Sequence, residues 1–150
     1  MRRYAWAVLG LGLLAVGIGA RPVWGQGTAS PAAVSLKQNY PNPFNPATTI
    51  PFTLSAELFA NGHRPKVSLK IYNVLAQLVA VPILQGTGAV LDNVELSCAS
   101  VTSCDFSAYW DGNTQSSPGV STGQQAASGI YIYQLVVDGQ RFTKKMIIMK

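Results

Sequence analysis

The sequence predicts an all-β fold, two antiparallel sheets of about seven short strands packed face to face, and three observations predict it. Apolar and polar residues alternate in period two through most of the chain after residue 48. No stretch of that part sustains a helical period, and clusters of Gly, Asn, Asp, Ser and Pro separate the alternating runs. Once an N-terminal leader is removed, about 125 residues remain, enough for one domain with its own core.

The leader comes first. Arg2 and Arg3 form a charged start, Ala5 to Ala20 is an uncharged apolar run, and Val23-Trp24-Gly25 precedes a cleavage point before Gln26. Residues 1–25 therefore read as a cleavable signal helix. As a membrane span the run falls short of the ~20 apolar residues required, and Arg21-Pro22 stops it. The leader has no cysteine to carry a lipid. Its Gly10-Leu11-Gly12 spelling resembles a dinucleotide-binding loop, but no strand can precede it. Residues 26–35 read as a short linker and residues 36–150 as the folded module.

Within the module, Gln38 to Pro46 is proline-rich. Pro41, Pro43 and Pro46 fix φ and disfavour helix at Tyr40, Asn42 and Asn45, which predicts an extended, kinked lead-in with Phe44 as its anchor and Tyr40 as a candidate docking side chain. Ile50, Phe52 and Leu54 share one face of a first strand, and Pro51 among them suggests a sheet edge. Val67, Leu69 and Ile71 point inward on the next strand, opposite Ser68, Lys70 and Tyr72. A turn at Asn73-Val74 leads to a strand over Gln77 to Leu84; Ala89 to Leu96 and Asp105 to Trp110 follow. Asn113 to Ala126, rich in Gly, Ser, Thr and Gln, reads as a mobile loop. Ile130 to Val137 is apolar on both faces apart from Gln134, which predicts a central strand covered on each side. Asp138-Gly139 spells a type I′ hairpin turn, and Phe142 to Met149 is the last strand, expected to keep a free end. Phe52, Leu69, Ile71, Trp110, Ile132 and Leu135 are the predicted core. Seven strands so spaced fit an Ig-like two-sheet sandwich.

Four strings stand out in order: Gln38 to Thr49 (QNYPNPFNPATT), Ile71 to Gln77 (IYNVLAQ), Trp110-Asp111-Gly112, and Ala127 to Leu135 (ASGIYIYQL) running into Lys144 to Lys150 (KKMIIMK). Together they resemble the type A C-terminal sorting domain of proteins exported by the type IX secretion system, and the related Ig-like domains of flagellar hook-capping proteins. The resemblance spans about Val34 to Lys150. It singles out Asn39, Tyr40, Pro41, Asn42, Pro43, Phe44, Asn45, Pro46, Trp110, Asp111, Gly112, Ser128, Gly129 and Tyr131 as motif positions. It makes Lys144, Lys145, Met146, Ile147, Ile148, Met149 and Lys150 candidates for recognition by an outer-membrane translocon. It implies a chain that is exported, passes through the periplasm and reaches the cell surface or medium, with a sortase-like peptidase as a further partner. The alternative is a stand-alone structural or adhesive Ig-like subunit. Three features depart from the family pattern: Ala76 stands where glycine is usual, the interval from Trp110 to Ser128 is long, and no cargo domain precedes the module.

Charge and chemistry narrow the remaining classes. The formal net charge is +5, but Arg2, Arg3 and Arg21 fall in or beside the leader, which leaves eight basic residues against six acidic ones. No basic stripe remains for nucleic acid. His63 is the one histidine, the carboxylates are scattered beside turns, and no serine sits in a nucleophile-elbow string, so neither a catalytic constellation, a small-molecule substrate nor a cofactor is expected. Cys98 and Cys104 in an exported chain read most simply as a local disulfide worth roughly 2 kcal/mol. A metal half-site would lack partners, and the spacing differs from the C-x-x-C of redox pairs.

Overall fold

The computed structural model describes residues 33–150. The expected signal helix and most of the linker lie outside the described residues. In chain order the strands are β1 (Val34–Leu36), β2 (Thr48–Ser55), β3 (Lys66–Tyr72), β4 (Leu78–Ala80), β5 (Ile83–Leu84), β6 (Val94–Glu95), β7 (Ser103–Trp110), β8 (Asn113–Ser117), β9 (Val120–Gln125), β10 (Gly129–Val137) and β11 (Gln140–Ile148). A short 3-10 segment, Ala56–Gly62, separates β2 from β3. The described residues are all-β apart from that short segment, and every named strand pairing is antiparallel.

One sheet has the order β1-β2-β7-β5 and a second the order β11-β10-β3-β4, with β6 also paired to β3. The period-two alternation dictates what each sheet buries. Ile50, Phe52 and Leu54 of β2, Val67, Leu69 and Ile71 of β3, and Tyr133 and Leu135 of β10 are fully buried, and they join Trp110, Met146 and Ile148 in one hydrophobic cluster fed by both sheets.

Several expectations change in the structure, each for a local physical reason. Pro51 does not mark an edge: β2 lies between β1 and β7. The Pro51 carbonyl accepts a hydrogen bond from Lys37 N (3.0 Å) just beyond the end of β1, and the Lys37 carbonyl facing the missing N–H accepts instead from the Tyr133 hydroxyl (2.9 Å). The strand expected over Gln77 to Leu84 breaks at Val81-Pro82, and its halves join different sheets. The side chain of Gln115 satisfies the buried backbone at this crossing, accepting from Val81 N (2.9 Å) and donating to Val81 O (3.1 Å). The linker is shorter than expected, because Val34 and Leu36 are buried against β2.

The presumed loop at 113–126 is instead the hairpin β8–β9. Pro118 and Gly119, the latter at φ +80°, lie at its turn, and Thr114 and Thr122 hydroxyls meet across it at 2.6 Å. Ile132 leaves the predicted core. Tyr131, Tyr133 and Leu135 take the inward parity of β10, which turns Ile130 and Ile132 to an outer face that no element covers among the described residues, leaving them 51% and 36% exposed. Cys98 and Cys104 are joined across 6.1 Å between Cα atoms, closing the loop that enters β7.

Two turns hold the ends of the second sheet. Between β3 and β4 the Asn73 carboxamide oxygen accepts from Leu75 N and Gln77 N, both at 3.0 Å, and Ala76 adopts φ +59°. Left-handed backbone costs a β-carbon roughly 1–2 kcal/mol, partly offset because glycine loses more entropy on folding. At the other end Asp138 and Gly139 have φ +47° and +84°, as a type I′ turn requires. Asp138 also accepts from Lys66 N (2.9 Å) and meets His63 Nε2 at 2.8 Å. Partial burial pushes the Asp138 carboxyl up, but the bonds from His63 and Lys66 outweigh it and hold the group below its ordinary value.

Two outcomes follow from these turns. Ala76→Gly should raise the unfolding free energy by about 0.5–1 kcal/mol in urea titrations, since glycine removes the left-handed penalty; an unchanged or lower midpoint would contradict the strain. The depressed carboxyl of Asp138 contributes stability that is complete above the unfolded value of about 4 and is lost as pH falls through the folded value. Asp138→Asn should therefore lower the melting temperature at neutral pH and flatten its decline below about pH 4. Parallel melting curves for the two proteins across that range would exclude this role.

Candidate functional site

The four strings converge. At the end of the molecule where β2 begins and β7, β3 and β11 finish, residues 38–46 lie across both sheets. Their proline content sets the local rule: Pro41, Pro43 and Pro46 carry no N–H, and the donors of Asn39, Tyr40 and Phe44 each find a defined acceptor. Asn39 N donates to the Tyr133 hydroxyl (3.0 Å), which itself donates to Lys37 O (2.9 Å). The buried Asn39 carboxamide donates to Pro41 O (3.1 Å) and to Thr48 Oγ1 (3.0 Å). Tyr40 and Thr49 exchange a pair of backbone bonds at 2.8 Å. Burial pushes the Tyr133 hydroxyl up to about 12, against the opposing effect of the Asn39 bond, so it stays a neutral donor and acceptor.

The same segment grips the last strand. Phe44 N donates to Ile147 O and Met149 N donates to Phe44 O, both at 3.1 Å, forming a parallel bridge beside Ile148. Asn42 Oδ1 accepts from Ile147 N (3.0 Å), and Gln38 Nε2 donates to Lys145 O (3.0 Å). Lys150 N donates to Ser128 Oγ (3.1 Å). The alternation predicts a last strand with a free end; the structure pairs that end on its outer edge with residues 42–44. Sequence patterning offers no signal for such a contact.

Beneath these backbone bonds lies an aromatic row. Phe44 meets Trp110 edge-on with centroids 5.5 Å apart, and Trp110 meets Tyr131 in the same way at 6.0 Å. Trp110 Nε1 donates to Asn113 O (2.8 Å), and the Tyr131 hydroxyl donates to Ala127 O (2.9 Å), so both polar tips are satisfied. Gly112 explains its own place. A β-carbon there would stand 2.0 Å from Pro46 O, and its φ is +82°. Asp111 spends both carboxylate oxygens on Asn113, accepting from N (2.9 Å) and Nδ2 (2.8 Å).

The motif positions thus divide by exposure. Asn39, Phe44, Trp110 and Tyr131 are buried, whereas Tyr40 is 76% exposed and Pro41, Asn42, Pro43, Asn45, Pro46, Ser128 and Gly129 lie at the surface. In the last strand Met146 and Ile148 belong to the core, and Lys144, Lys145, Ile147, Met149 and Lys150 face solvent. Tyr133, Thr48 and Gln38, which lie inside the quoted strings but outside the motif positions, complete the framework; the inward parity of Tyr133 is the signal that could have marked it. Cys104, at the start of β7, is remote from Trp110 at its end. Among the described residues no group of three or more His, Cys, Asp or Glu side chains converges, and His63 and Asp138 meet at the opposite end of β10. The arrangement provides shape, backbone pairing and surface charge.

No protein-family model matches the chain, and no curated protein matches it. A solved structure of the Pseudomonas fluorescens alkylpurine DNA glycosylase AlkC, bound to DNA containing an abasic site analog, is similar at 14% identity with a TM-score of 0.47. The similarity covers 83% of this chain and 32% of that one, so the chain spans about a third of that protein.

Trp110→Ala should lower the unfolding free energy by about 3–5 kcal/mol, because it empties the middle of the aromatic row. Tyr40→Ala should stay within about 0.5 kcal/mol of the parent. Equal denaturation midpoints for the two variants would refute this division between buried and exposed motif residues.

Proposed function

We propose that the chain is a non-catalytic, exported module of the type IX sorting kind, whose two sheets form an Ig-like sandwich and whose motif end is read by an outer-membrane translocon. What carries the reading is the convergence of all four family-like strings on one end, where residues 38–46 pair with the end of β11. Positions spread through the chain have a shared physical reason to occur together: the prolines shape the segment, Gly112 admits it, Trp110, itself backed by Tyr131, seats Phe44, and β11 receives it. The side chains left outside this framework, Tyr40, Lys144, Lys145 and Lys150, are available for recognition without disturbing the core. The inward faces of the two sheets sharing one hydrophobic cluster support the sandwich.

Removing Met146 to Lys150 would be an ambiguous test, since Met146 and Ile148 are core residues. The sharper variant is Lys144→Glu with Lys145→Glu and Lys150→Glu, which changes only exposed charge. In the native cell this triple variant should accumulate in the periplasm while melting as the parent does. Surface delivery at the parent level would remove the sorting reading. It would leave the second one, a structural or adhesive subunit, which is favoured by the β8–β9 hairpin because every residue of β9 is exposed.

A further inference from the structure

The turn between β3 and β4 is built to hold two apolar side chains in water. Val74 and Leu75 are 70% and 74% exposed. The Asn73 carboxamide fixes the loop around them through Leu75 N, Gln77 N and the Gln77 side chain. A turn needs polar or small residues at such positions, so the aliphatic pair is not explained by turn chemistry. Neither is it isolated. Val74 and Ile132 line one shallow cavity of about 250 Å³ with Tyr72 and Gln134. Ile132 shares the outer face of β10 with Ile130, which lies opposite Ile147 on β11, and Met149 follows at 57% exposure. The result is a continuous aliphatic surface running from the turn tip to the end of β11.

Charge is distributed around it in one sense. Lys145 lies opposite Ile132 on this face, and Lys150 follows at the strand end; Lys144, opposite Tyr133, takes the inward parity and belongs to the other face. None of the three has an ion-pair partner among the described residues, whose ion pairs are Lys37–Asp105, His63–Asp138 and Lys70–Asp92. Of the six acidic residues, only Asp111 lies at this end, and its carboxylate is held by Asn113. A protein partner is ordinarily met by aromatic and arginine anchors in a closed patch. Apart from Tyr72, the groups exposed here are aliphatic side chains, which need no directional partner, and lysines, whose long stems let the ammonium reach anionic groups at a boundary. That combination matches the interface of a bilayer that carries anionic headgroups.

We propose that this face is a peripheral membrane-binding surface, with Val74 and Leu75 entering the headgroup boundary and Lys145 and Lys150 contacting anionic lipid. The proposal does not rest on the sorting reading, although Lys145 and Lys150 serve in both. It is tested with the purified full chain and vesicles of phosphatidylcholine alone or mixed in equal parts with phosphatidylglycerol, by co-sedimentation and by hydrogen exchange. The mixed vesicles should bind the chain and protect residues 72–77, 129–132 and 145–149, with binding weakened by salt. Val74→Ser with Leu75→Ser, on an exposed turn, should reduce that binding about tenfold or more, with melting unchanged. Protection confined to residues 1–32, equal binding to both vesicle types, or a double variant that binds as the parent does would each overturn the proposal. So would the absence of vesicle binding, including the case in which the same face captures an acidic protein.

Discussion

Phe44 carries the constraint on which the rest of this end depends. Its ring fills the space beside Trp110 and its backbone pairs with Ile147 and Met149, so one residue is simultaneously a core side chain and a short piece of sheet. The two roles require each other. Unless the ring is seated, the backbone has no reason to lie along β11; unless the backbone is paired, burying the ring would strand its N–H and C=O away from water. The flanking prolines reduce the number of donors that must be satisfied, and the Asn39 carboxamide supplies bonds that a regular strand would otherwise make.

The pattern of inside and outside was legible in residues such as Ile50, Phe52, Leu69, Ile71 and Trp110, because alternation on a pleated strand leaves few choices once one anchor is placed. The Asp138-Gly139 turn was legible for a similar reason, since its conformation is demanded by local chemistry. Ile132 was misread because β10 is apolar at both parities, and only the three-dimensional structure reveals which parity faces the core. The sheet switch at Val81-Pro82 depends on Gln115, thirty-four residues downstream. The polar hairpin β8–β9 carries no hydrophobic alternation at all. Its pairing rests on side-chain bonds such as Thr114 to Thr122, which composition alone reads as loop.

The motif strings were visible as strings, but their meeting was not. Asn42 and Ile147 are 105 positions apart, and nothing in either neighbourhood refers to the other. Physical logic appears only afterwards. Gly112 is required by the approach of Pro46, and the hydroxyl of Tyr133 joins the lead-in to the middle of β10. The contrast between a satisfied framework and exposed Tyr40, Val74 and Leu75 also emerges only in the folded chain, where turn and strand end form one surface.

The closure between residues 42–44 and 147–149 bears on timing as well as on shape. A contact of such long sequence separation carries a large loop-closure cost and is repaid only when the intervening sheets have formed. During synthesis the lead-in waits for residues 147–149 to emerge, so the aromatic row cannot be sealed before β11 is made. A chain in that condition keeps its lead-in unpaired, and this end closes only once β11 is in place. The same geometry makes the two ends of the module mutually dependent: loosening either one reopens the seam at the other.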